Sequence, residues 1–234
     1  MTEADPVVFE GFSRELLEFL RGLERNNEKA WFDRHRDAYE AFYLEPAKAF
    51  ARSIAVALPA LGSDLRSEPR VNGSIMRINR DVRFSKDKTP YKTALHFIFA
   101  GGDGPLKVNP AFYLRVAPAS LGLGAGIFGF DPDQLARYRA AVVDARRGRA
   151  LRTALEKVRK AGPYDLRAPD TKRVPKGFDA DHRNALLLRY RGCAAFGELP
   201  HPDELFTGRA VTWVIDRFRG LRPLHDWLVK ALAD

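Results

Sequence analysis

The sequence has one cysteine and two methionines, and no apolar run in it approaches the about 18 to 20 residues that a membrane span needs. Cys193 alone cannot form an internal disulfide, which fits a reducing cytoplasm as the expected location. Its neighbours Gly192, Ala194 and Ala195 bring no activating base, so it reads as a small core residue rather than a nucleophile. The opening MTEADPVVFEGF is acidic and lacks the basic-then-apolar layout of a secretory signal. The histidines His35, His96, His182, His201 and His225 are scattered, with no His-Glu-x-x-His or Cys-x-x-Cys spacing, so no metal is expected. There is no G-x-x-x-x-G-K-[ST] loop and no G-x-S-x-G elbow. The stretch GLGAG resembles part of a dinucleotide fingerprint, but its alternation is that of a strand, and no cofactor is expected.

What is present is a folded composition, 45% hydrophobic and 29% charged over 234 residues, enough for one sizeable core in a single domain spanning 1–234. The net charge is +9. Such a balance favours encounter with anions, small or polymeric, although an arginine-rich codon usage would produce it equally well.

Residues 9–60 carry helical periodicity. Phe12, Leu16, Phe19, Leu20 and Leu23 share one face, Asn26 or Asn27 is placed to cap a second helix from Glu28, and Trp31, Phe32, Tyr39 and Phe42 would line one side of it. Pro46 suits the first turn of a third helix running to about Leu58. Residues 70–130 change to a period of two, giving four strand candidates in SIMRINRDVRF, ALHFIFA, PAFYLRVAP and SLGLGAGIFGF. Arg80 interrupts the apolar alternation of the first, which predicts a bulge or strand end near 79–81. Residues 131–234 are mainly helical, with helices opening at Asp131 and near Arg149, an extended Pro- and Gly-rich excursion, and two closing helices on 213–218 and 221–232. The expected class is α+β, one antiparallel sheet of about four to six strands packed by helices from both ends of the chain.

The densest chemistry lies in RDVRFSKDKTPYK. Alternation puts Arg77, Asp81 and Arg83 on one strand face, and Tyr113 and Arg115 on one face of a later strand. Gly122, Gly124 and Gly126 share a face too, which implies that a helix or a ligand approaches the backbone closely. Guanidinium forks beside an aspartate suit a phosphate or carboxylate. The candidate ligand-binding set is therefore Arg77, Arg80, Arg83, Ser85, Lys88, Tyr91, Lys92, Tyr113 and Arg115, with Trp31 nearby and His96 able to join. Asp81 and Asp87 are the candidate bases if a reaction occurs. The ordinary alternative is a salt-bridged loop in which Asp81 and Asp87 neutralise their neighbours. A second basic run, Arg146, Arg147, Arg149 and Arg152, reads either as a phosphate contact or as a solvated helix junction hinged at Gly148.

The motifs NNEKAWF, RINRDVRFSKDKTPYK, GLGAGIF and PKGFDADH together resemble a widespread bacterial and fungal family of conserved proteins of unknown function, over about Phe9 to Leu232. The resemblance implies that Arg80, Asp81, Arg83, Phe84, Ser85, Asp87, Lys88, Pro90, Tyr91 and Lys92 form a family signature; it implies no activity. Three roles follow for test: binding or processing of an anionic small molecule, a nucleic-acid-associated module, and a scaffold. No membrane partner is expected.

Overall fold

Residues 9–62, 64–102 and 105–233 of the computed structural model are described here. Helix α1 (Arg14–Arg25) forms because Leu16, Phe19, Leu20 and Leu23 recur at three- and four-residue spacing and all become buried, while the Ser13 hydroxyl accepts from the Leu16 N–H at its start. A short α2 (Lys29–Arg34) and a single turn α3 (Arg36–Ala38) follow. A π-helical stretch over Tyr39–Leu44 then leads into α4 (Glu45–Ala57), whose early Pro46 needs no backbone donor there. The π stretch shifts the register, so Tyr43 is fully buried and Phe42, expected on the aromatic line, is exposed instead. Neither asparagine caps α2; its N-cap is Glu28, without a side-chain bond.

Five strands make one open antiparallel sheet, the first three where the alternation predicts them: β1 (Leu95–Ala100), β2 (Ala111–Val116), β3 (Leu121–Ile127), β4 (Asp165–Leu166) and β5 (Cys193–Leu199). Their order is β1-β2-β3-β5-β4, with Asp165 opposite Phe196 and Leu166 opposite Ala195. The expected strand over 74–84 is corrected. Only isolated bridges form there, Ile75 to Phe97 and Asn79 to Tyr91. The stretch has no continuous apolar face to bury, and Pro90, which accepts from the Arg80 N–H at 2.8 Å, has no N–H to return. Strand β5 was not anticipated, because its Cys-Ala-Ala-Phe-Gly run is too small and mixed to show alternation.

The glycine face of β3 serves β5. A Cβ on Gly126, whose φ is +133°, would lie 2.0 Å from the Cys193 carbonyl oxygen, and one on Gly124 would lie 2.6 Å from that of Ala195.

The chain divides into two compact units: Met1–Phe99 with Tyr113–Gly122 and Leu199–Asp216, and Ala100–Phe112 with Leu123–Glu198 and Arg217–Asp234. In the second, α5 (Pro132–Val143) starts with a reciprocal capping box between Asp131 and Gln134. Asp144 then accepts from the Arg146 and Arg147 N–H groups to open α6 (Ala145–Ala161). Gly148 is inside that helix rather than at a hinge; a Cβ there would lie 2.3 Å from the Val142 carbonyl oxygen. The two closing helices are one, α7 (Ala210–Leu232), which continues through Pro223. No helix among the described residues is long and apolar enough to cross a membrane.

Candidate functional site

The signature segment is held first by its backbone. Asn27 donates through Nδ2 to the Tyr91 carbonyl at 2.9 Å, and its Oδ1 accepts from the Tyr91 N–H at 3.0 Å. The side-chain amide thus imitates a neighbouring strand, and the Tyr91 ring stacks on Phe32 with centroids 4.4 Å apart. The Lys92 N–H donates to the Ile78 carbonyl at 2.8 Å, so residues 78–80 and 90–92 form a short ribbon with the charged turn at its end.

Most charge within the turn is matched internally. Arg80 donates to Asp87 Oδ2 at 2.5 Å and to the Thr89 carbonyl at 3.0 Å, and it also contacts the Thr89 hydroxyl. Asp87 Oδ1 accepts from the Thr89 N–H and from its hydroxyl, each at 2.9 Å. These donors hold the Asp87 carboxyl down to about 2, the Thr89 N–H acting most and Arg80 next. Asp81 takes Arg83 in a two-pronged pair at 2.7 and 3.0 Å, which lowers its carboxyl below the usual range. Both carboxylates are thus held by donors within the turn itself. Lys88 Nζ donates to the Val82 carbonyl at 2.9 Å. Ser85 closes the turn with its backbone N–H on the Val82 carbonyl at 3.3 Å.

Phe84, expected on the apolar side of a strand, is 96% exposed at the tip, because the turn over 82–85 takes it out of the pleat. Arg83 lies over its ring, 5.8 Å from the centroid, and Arg77 is exposed too. Trp31 lies elsewhere: it stacks on His35 with centroids 3.9 Å apart and packs over Gly22 of α1.

A second grouping sits on the sheet itself. His96 of β1 is half-buried, with Nδ1 3.0 Å from the Ala94 carbonyl. Burial pushes its imidazole down to about 4, and the nearby cations Lys92 and Arg115 add to the effect. Lys92 Nζ is fixed on the Arg77 carbonyl at 2.5 Å, and Arg115 of β2 reaches the Ser120 hydroxyl at 3.5 Å. Tyr113, two residues before Arg115, is buried, which raises its phenol. The candidate residues therefore fall into two groups. Lys92 and Arg115 are near enough to His96 to lower its imidazole, whereas Arg80, Arg83 and Lys88 are engaged within the turn and Trp31 stacks on His35.

Two long-range relationships have no signal in the local sequence. Asn27 as a strand mimic has no local signature, since its partner is 64 residues away. In the second unit, the basic face of α6 meets Trp227 and Lys230 of α7 around a cavity of about 550 Å³. Among the described residues, no three His, Cys, Asp or Glu side chains gather to hold a metal ion.

The chain belongs to the conserved hypothetical protein family DUF2461, whose model matches residues 15–227, in agreement with the resemblance drawn from the motifs. No curated protein matches the chain.

Proposed function

We propose that the polar side of the sheet at β1 and β2, with the 77–92 turn beside it, binds a small molecule bearing a phosphate or carboxylate. The observation that carries this reading is that Lys92, from a loop, and Arg115, from β2, both half-buried, are near enough to His96 of β1 to act on its imidazole. Guanidinium and ammonium groups near a half-buried imidazole offer donors to an oxyanion. Arg115 would supply a planar fork and Lys92 a point charge, with Tyr113 as a wall. Arg83 stays on Asp81 within the turn and is no part of this site. Asp81 and Asp87 are both held by donors within the turn, and no reaction is assigned.

The test is thermal unfolding with inorganic phosphate and with small di- and tricarboxylates, for the parent protein and for Lys92→Ala/Arg115→Ala. The reading expects a concentration-dependent rise in Tm for the parent that the double variant loses. A parent indifferent to every anion, or a folded variant that responds equally, would refute it. A scaffold role is the second reading, favoured by the Asn27–Tyr91 bonds that tie the N-terminal helices to the signature.

A further inference from the structure

We infer that the groove between α6 and the C-terminal half of α7 binds the phosphate backbone of duplex nucleic acid. This lies in the second compact unit and is independent of the sheet-face reading. Arg146, Arg149 and Lys157 line the groove from α6, and Lys230 lines it from α7. At spacings of three and eight residues the α6 cations fall along one side of the helix, over about 16 Å from first to last.

Ala150 and Ala154 line the groove with Trp227. Trp227 is buried and donates its indole N–H to the Arg147 carbonyl at 2.9 Å, tying α7 to α6. Two carboxylates touch the groove, and both have partners: Asp144 accepts from the Arg146 and Arg147 N–H groups, and Asp226 from Arg222 Nε at 3.1 Å.

The layout selects the ligand. Charges strung along a straight helix do not converge on one point, so a single phosphate would meet only part of them, whereas a polymer with regularly spaced phosphates meets them in succession. The helix run covers roughly five steps of one duplex strand at ~3.4 Å each. Arginine forks suit phosphate oxygens. Single strands are held by aromatic platforms on which bases stack, and the one aromatic ring of this groove is buried with its N–H already used. Contact with phosphates alone carries no sequence preference.

The experiment is fluorescence anisotropy with a labelled duplex of about 20 base pairs at salt from about 50 to 200 mM. Single-stranded DNA of the same length and poly-glutamate serve as competitors. Duplex binding is expected to fall linearly on a log–log plot against salt. Arg149→Ala/Lys157→Ala should lower the magnitude of that slope by about 1.8, at 0.9 for each phosphate no longer neutralised. A control removing equal charge, Arg52→Ala/Lys176→Ala, should leave the slope unchanged. Absence of duplex binding at about 50 mM salt would overturn the inference. So would an equal effect of the control pair, or displacement by single strands or poly-glutamate as effective as by unlabelled duplex. Loss of Lys92 and Arg115 should not alter duplex binding, so failure of the sheet-face reading and failure of this one are separable.

Discussion

The side-chain amide of Asn27 and the peptide group of Tyr91 exchange two hydrogen bonds, 2.9 and 3.0 Å long, across 64 residues of sequence. Tyr91 is 6% exposed, so its backbone polar groups have little water to turn to. Asn27→Ala would leave a buried donor and a buried acceptor unmatched, at a cost of about 1–3 kcal/mol. Urea unfolding of that variant measures it. Asn27→Asp keeps the acceptor for the Tyr91 N–H but loses the donor, and it should be destabilised as well.

Gly126→Ala should be among the most damaging single substitutions in the sheet. The new methyl would meet the Cys193 carbonyl at 2.0 Å, and the φ of +133° is one that alanine rarely adopts. The expected loss is about 3 kcal/mol or more. A folded variant with unchanged Tm would contradict the close β3–β5 approach.

Asp87 makes a pH-dependent prediction with a definite sign. Its folded carboxyl is held down to about 2 against an ordinary 3.8. Its contribution is thus fully present above pH 3.8 and is lost as the pH falls through about 2. Hydrogen exchange at the Thr89 amide, which donates to Asp87, should therefore show protection at pH 4 that declines below it. Asp87→Ala should remove that protection at neutral pH with little change in Tm, because the pair is exposed. A large fall in Tm would favour the scaffold reading instead.

The fold class, the three sheet-meander strands, the main helices and the buried thiol of Cys193 were legible because each rests on local periodicity or composition. The signature segment has the pattern of a strand but forms only isolated bridges. Its alternation is real, but Arg80 and Pro90 deny it both an apolar face and a full ladder, facts that depend on which segment it meets. Strand β5 and the continuity of α7 through Pro223 were hidden for the same reason, since packing overrode weak local signals. At the candidate site, the sequence grouped cations by face alone. Only the fold separates those that face Asp81 and Asp87 from Lys92 and Arg115, which lie near His96.

His96 reports most directly on the proposed anion site. Its folded pKa is lowered to about 4 from an ordinary 6.5, so its contribution to stability is complete above pH 6.5 and lost as the pH falls through about 4. The full effect is on the order of 3 kcal/mol. The decisive measurement is an NMR titration of the His96 imidazole with and without millimolar inorganic phosphate. The account predicts a midpoint near 4 in the free protein, moving upward when phosphate settles beside Lys92 and Arg115 and offsets their charge. A midpoint near 6.5 in the free protein, or one that phosphate leaves in place, would contradict it.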